Sequence, residues 1–172
     1  MTSYAAFLRG VNVGGVNLKM ADVTKTLSDA GFTDVKTILA SGNVLLQSRS
    51  KADTVRRKAE AALRDVFGYD AWVLVYDIDT VAAISAAYPF KREVAEHHSY
   101  VTFVSDPDVL DELAALKPGP GERIERGDGV IYWQVARSKT LDSAIGKTMG
   151  KKRYKASTTT RNLRTLDKLL RR

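Results

Sequence analysis

The chain contains no cysteine. That excludes disulfides, thiolate zinc sites and cysteine nucleophiles together, and makes the molecule indifferent to the redox state of its compartment. Histidine is almost as scarce, with His97 and His98 adjacent and no others. Neighbours on an extended segment point to opposite sides, so the pair reads as an exposed loop, not a metal site. No Ser/His/Asp constellation can be assembled, and no metal or cofactor is expected. Aromatic residues are few and scattered: Phe7 stands on the first strand and none lies between Val44 and Gln47. This argues against a paired-strand sheet that stacks RNA bases. No window approaches the roughly 18 apolar residues of a membrane span, and the amino-terminal residues reach Arg9 and Gly10 too soon for a signal-peptide apolar region. A soluble cytoplasmic protein without membrane contact is the expectation.

What is present is ordinary globular composition, 44% hydrophobic and 27% charged over 172 residues, enough for one large domain or two small ones. The net charge of +7 is unevenly distributed. Residues 147–172 hold ten cations, including Lys151, Lys152, Arg153 and Lys155, against the single anion Asp167, a local +9 that leaves −2 for the rest. A patch of this kind speeds association with nucleic acid, anionic lipid or phosphorylated partners. A solvated, partly frayed tail is the alternative.

Periodicity orders the chain into elements. Residues 4–11 read as a strand, and 20–30 as a helix with Met20, Val23, Leu27 and Ala30 on one stripe, closed by Gly31. Residues 35–39 and 44–47 read as a hairpin through Ala40-Ser41-Gly42-Asn43. Asp53 is the expected cap of a helix to Phe67, with Val55, Ala59, Ala62 and Val66 inward and Gly68 stopping it, before a strand over 71–76. The order βαββαβ is the ferredoxin-like pattern. A short helix and Tyr88-Pro89-Phe90 then connect to a second lobe. There, a strand over 99–104 precedes a helix capped by Asp106, opened by Pro107 and striped by Val109, Leu110, Leu113 and Leu116. A hairpin around Gly127-Asp128-Gly129 follows, with helices expected over 141–149 and 160–172, the last striped by Leu163, Leu166, Leu169 and Leu170. The expected fold is thus α+β: two linked ferredoxin-like lobes with antiparallel or mixed sheets, residues 1–78 as βαββαβ and 79–172 as a degenerate βαββα ending in a basic helix.

The motif that stands out runs from Phe7 to Met20, where a short apolar strand breaks into Gly10, Asn12, Gly14, Gly15 and Asn17. It forms G-x₄-G, but Val16 and Asn17 stand where a phosphate-binding P-loop needs lysine and a hydroxyl residue, and G-x-G-x-x-G is absent. Gly146-Lys147-Thr148 copies the end of a P-loop, yet Leu141 occupies the place of its first glycine. Arg126-Gly127-Asp128 is a hairpin tip. Asp77 and Asp79 lack a third carboxylate at a useful spacing, and strand-end and helix-cap roles account for both.

One constellation remains. In a βαββαβ lobe the first and third strands are antiparallel neighbours, so Arg9 and the loop after it belong beside Ser41-Gly42-Asn43, at the edge where the helix after Lys19 begins. Arg9, Asn12, Asn17, Lys19, Ser41 and Asn43 would then surround an anion-sized site. Thr159, Thr160, Arg161 and Asn162, taken as a helix start with threonine as cap, are expected to face the same edge. The other reading is that the glycines and asparagines shape a loop and cap a helix, that Thr160 merely caps the last helix, and that Arg161 pairs with a nearby acid.

In order, Leu8-Arg9-Gly10-Val11-Asn12-Val13-Gly14-Gly15, Lys19-Met20-Ala21-Asp22, Ser41-Gly42-Asn43-Val44, Arg137-Ser138-Lys139 and Thr159-Thr160-Arg161-Asn162 give a chain that resembles the bacterial family catalogued as domain of unknown function 1697. The resemblance spans nearly the whole length. It implies two linked α+β lobes of ferredoxin-like type and no particular activity. The family's closing motif continues with tryptophan and asparagine; Leu163 and Arg164 stand here instead, so no stacking role carries over to that position.

Three functions follow as expectations. The first is binding of nucleic acid or a phosphorylated small molecule at the Arg9 edge and the basic carboxyl end, by a monomer or weak dimer. The second is an enzyme acting on a phosphorylated or carboxylated metabolite, with Arg9, Lys19 and Arg161 holding the anion beside an unidentified general base. The third is a protein-interaction module docking through the leucine-striped last helix. Retention on nucleic acid that falls with salt, a metabolite that raises the melting temperature, or a captured protein without either distinguishes them.

Overall fold

The structure is a computed structural model, and it describes residues 1–9, 17–39, 42–92, 94–136, 144–149, 151, 154 and 156–171. The elements run β1 (Thr2–Arg9), α1 (Met20–Asp29), β2 (Thr33–Ile38), β3 (Asn43–Ser48), α2 (Ala52–Phe67), β4 (Trp72–Asp77), α3 (Ile78–Ala86), β5 (His97–Val104), α4 (Pro107–Ala114), β6 (Arg123–Arg126), β7 (Val130–Ala136), α5 (Ala144–Met149), β8 (Thr158–Asn162) and α6 (Leu163–Arg171). They form two four-stranded sheets, β2-β3-β1-β4 and β6-β7-β5-β8, with every neighbouring pair antiparallel. The chain divides into two units, Met1–Ala82 with Lys168–Arg172, and Ala83–Asp167.

In the first unit the even residues of β1, Tyr4, Ala6 and Leu8, join Val44, Leu46 and Val73 in one core with Val23 and Leu27 of α1 and Val55, Ala59 and Leu63 of α2. The predicted α1 stripe stands, with Met20 and Ala30 partly buried against the same core. The α2 stripe is corrected. Leu63 and Phe67 pack where Val66 was expected, and Val66 is 59% exposed. Asp53 is not the cap either: Lys51 occupies the N-cap position, while Asp53 pairs with Arg56 at 2.9 Å one turn along. Gly68 ends α2 at φ 66°, as its position after Phe67 implied. The odd face of β1 is equally closed to solvent, with Ala5 and Phe7 fully buried. A strand buried on both faces explains why Ala5 to Leu8 read as a continuous apolar run rather than an alternation.

In the second unit α4 lays Val109, Leu110 and Leu113 on Ile131, Trp133 and Val135 of β7. Asp106 caps α4 by accepting the Asp108 N–H at 2.9 Å, and Gly129 turns the β6–β7 hairpin at φ 72°. Two expectations are overturned here. His97 and His98 are not a loop but the start of β5, paired with Ala136 and Val135. The expected helix over 160–172 begins only at Leu163, because Thr158-Thr159-Thr160-Arg161-Asn162 is the strand β8 paired with β5. Three consecutive β-branched threonines favour a pleated strand over a helix. The second unit therefore has the full order βαββαβ, then α6, and is not the degenerate βαββα. Thr160 caps nothing; Asn162 does, its Oδ1 accepting the Arg164 N–H at 2.9 Å.

Candidate functional site

The expected meeting of β1 with the β2–β3 hairpin occurs. Phe7 pairs with Asn43, and the Leu8 N–H donates to the Gly42 carbonyl at 2.8 Å, so the end of β1 lies against the hairpin turn. Arg9 closes β1 opposite Trp72 of β4, half-buried. Burial lowers the pKa of its guanidinium, which stays charged at neutral pH. α1 ends at Asp29, just before β2 begins with Thr33 opposite Gln47, which in turn pairs with Ser3, so the start of α1 lies toward the end of the sheet where β1 closes. Lys19 sits at the N-cap position of α1, its carbonyl accepting from Asp22 and Val23 and its side chain exposed. The helix has no side-chain cap. Asn17 is exposed nearby in sequence.

The candidate residues of the first unit differ in what they present. Asn17 and Lys19 are exposed at the amino-terminal end of α1, and Arg9 ends β1. Asn43 is fully buried, and its Nδ2 donates to the Ile38 carbonyl at 3.0 Å, closing the hairpin. Asn12 and Ser41 lie outside the described residues. In the second unit Thr160 and Arg161 point to opposite faces of the sheet. Thr160 shares a 2.7 Å hydrogen bond with Thr102, whose hydroxyl also accepts from Trp133 Nε1 at 3.0 Å. Arg161 is 9% exposed, its Nη1 donating to Thr159 Oγ1 at 2.7 Å and to the Thr160 carbonyl at 3.0 Å. Of the basic stretch, Lys147 and Lys151 are exposed, while Lys152, Arg153 and Lys155 lie outside the described residues. Gly146, Lys147 and Thr148 belong to α5, a helix rather than a phosphate loop.

Asp77 holds the role its spacing suggested, Oδ1 accepting the Thr80 N–H at 2.8 Å and Oδ2 the Thr80 hydroxyl at 2.9 Å at the start of α3. Among the described residues no three His, Asp or Glu gather as metal ligands, and no helix is long and apolar enough to cross a membrane. Sequence reasoning missed a cavity of about 320 Å³ at the other end of the first sheet, lined by Ser3, Asp34, Lys36, Leu45, Gln47 and Ile78. It rests on a bulge at Asp34 that strand periodicity does not announce.

Among solved structures, the chain is similar to the conserved bacterial protein SP0830 from Streptococcus pneumoniae, with a TM-score of 0.80, 22% identity, and 99% of this chain and 97% of that one covered. At that identity the likeness speaks for the fold alone. No curated protein matches the chain. The family described as "Protein of unknown function (DUF1697)" matches residues 1–132, and the chain belongs to that family.

Proposed function

We propose that this protein binds an anionic ligand, nucleic acid or a phosphorylated small molecule, at the edge of the first unit where β1 ends. The observation that carries the reading is Arg9, a half-buried guanidinium at the sheet end where α1 begins without a side-chain cap. A partly desolvated cation attracts an anion more strongly than one in bulk water, and a helix start adds partial positive charge. Lys19 and Asn17 extend the same edge, and the reading includes Asn12 and Ser41 from the sequence. Asn43 supports the hairpin instead. Thr160, Arg161 and Asn162 are the proposed ligand-binding residues of the second unit, and Lys151, Lys152, Arg153 and Lys155 are the proposed contacts for nucleic-acid phosphates. The reading also takes residues 1–78 and 79–172 as two ferredoxin-like lobes of a cytoplasmic protein, supported by the βαββαβ order and the strand order β2-β3-β1-β4 repeated as β6-β7-β5-β8.

Titration of the intact chain with inorganic phosphate and with a mixed-sequence DNA duplex tests this. Arg9→Gln should weaken binding about tenfold or more, the scale of one lost charge-assisted hydrogen bond. Binding unaffected by Arg9→Gln removes the site. Neutralising Lys151, Lys152, Arg153 and Lys155 together should flatten the salt dependence of duplex binding by about 0.9 for each phosphate no longer neutralised. An unchanged slope leaves that stretch a solvated surface.

A further inference from the structure

The cavity at the amino-terminal end of β1 is a built feature of the β2–β3 pairing. Thr33 pairs with Gln47 and Lys36 with Leu45, so three steps on β2 span two on β3. The extra residue is accommodated at Asp34, which takes φ 50°, in the left-handed region that aspartate and asparagine enter more readily than most residues. Without the bulge Val35 would oppose Leu45 and Lys36 would turn to the helix face. With it, Val35 packs against the core and Lys36 shares the cavity face with Leu45 and Gln47. One inserted residue thus brings Asp34 and Lys36, an acid and a base, into the lining of one cavity together with Ser3, Leu45, Gln47 and Ile78. Among the described residues neither Asp34 nor Lys36 forms an ion pair.

We propose that this cavity binds a small zwitterion of the amino-acid kind with an apolar substituent, its ammonium toward Asp34 and its carboxylate toward Lys36. A ligand of one sign gains from one rim residue and is repelled by the other. A molecule carrying both charges a few bonds apart is attracted by both. Leu45 and Ile78 favour an alkyl substituent and disfavour a third charge, which would be desolvated there without a partner. About 320 Å³ lies at the lower end of the range for small-ligand cavities, which suits a single amino acid rather than a nucleotide.

The test is a chemical-shift titration of the intact chain with three probes: L-leucine, 4-methylpentanoate, which keeps the carboxylate and loses the ammonium, and isoamylamine, which does the reverse. L-leucine should saturate the residues lining the cavity and bind about tenfold or more tightly than either single-charge probe. Asp34→Asn keeps a residue that tolerates the left-handed conformation, so the bulge survives. It should bring leucine down toward the affinity of 4-methylpentanoate, and Lys36→Gln should bring it down toward that of isoamylamine. Arg9→Gln, at the other end of β1, should leave leucine binding unchanged, which separates this site from the proposed anion site. Failure of leucine to saturate, equal affinity for all three probes, or indifference to both rim substitutions overturns the proposal and leaves Asp34 and Lys36 as a solvated edge.

Discussion

At the residue scale, the polar side chains divide into those that complete the backbone and those that face outward. Glu60, 8% exposed, reaches from α2 to β4, where its Oε2 accepts the Val73 N–H at 3.0 Å while Oε1 accepts from Arg56 at 2.9 Å. Arg64 donates to the Ala71 carbonyl from both Nε and Nη2, at 3.1 and 2.9 Å, and lies over the Trp72 ring. Together they clamp β4, the outer strand of its sheet, to α2. Glu60→Ala should cost about 1–3 kcal/mol, since it strands a buried N–H, and Glu60→Gln less, since the amide oxygen still accepts. Urea midpoints of the two variants would check this, and equal losses would show that the carboxylate charge rather than the acceptor matters. Tyr69 is the converse case: its hydroxyl is buried with no hydrogen-bond partner among the described residues. Tyr69→Phe should therefore be neutral or stabilising by up to about 1 kcal/mol in the same assay. Asn43→Ala should lower the melting temperature through the hairpin, whereas Arg9→Gln should act on ligand binding.

At the scale of elements, the caps test how far local chemistry shapes each helix end. Asp106 with Pro107 opens α4, and replacing Asp106 by alanine should cost about 1 kcal/mol, with a corresponding fall in the urea midpoint. Gly68 closes α2 in the left-handed conformation, and a Cβ added there meets nothing within 4 Å. Gly68→Ala should thus cost about 1 kcal/mol from backbone conformation alone, and Gly68→Asn less. Equal losses from alanine and asparagine would point to a steric cause that the open space around Gly68 gives no reason to expect. These caps were legible because they depend on residues a few positions apart. The strand β8 was not legible as one. Its threonines could cap a helix or pair with β5, and only the register Thr102 to Thr160 and Phe103 to Thr159 decides between them.

At the scale of the whole molecule, buried tyrosines set the alkaline limit. Burial raises the pKa of Tyr69, Tyr76, Tyr88 and Tyr132, most strongly for Tyr76. A raised folded-state pKa means that the unfolded chain releases these protons first, at about pH 10, while the native chain holds them. The stability tied to these groups is therefore intact below about pH 10 and is lost as pH rises from there toward the folded-state values. Urea unfolding across that boundary should show the midpoint falling steeply on the alkaline side, less so in Tyr69→Phe. A flat profile would mean that the hydroxyls reach water in the native state.

The sequence by itself determined the element order of the first unit, the stripes of α1 and α4, the cap at Asp106, and the concentration of positive charge in residues 147–172. Each follows from neighbours within one turn or one pleat, or from composition, and so is written locally. Tertiary structure decided which of two reasonable roles each ambiguous residue takes. Asn43 could hold a ligand or a hairpin, and full burial against Ile38 made it the hairpin. Thr160 could cap a helix or lie in a sheet, and pairing with Thr102 made it sheet. Asp34 and Lys36 line one cavity because Thr33 pairs with Gln47 while Lys36 pairs with Leu45, a register between strands joined through a turn. Burial, register and bulge position are properties of which segments meet, and nothing in a residue's own neighbourhood along the chain fixes them.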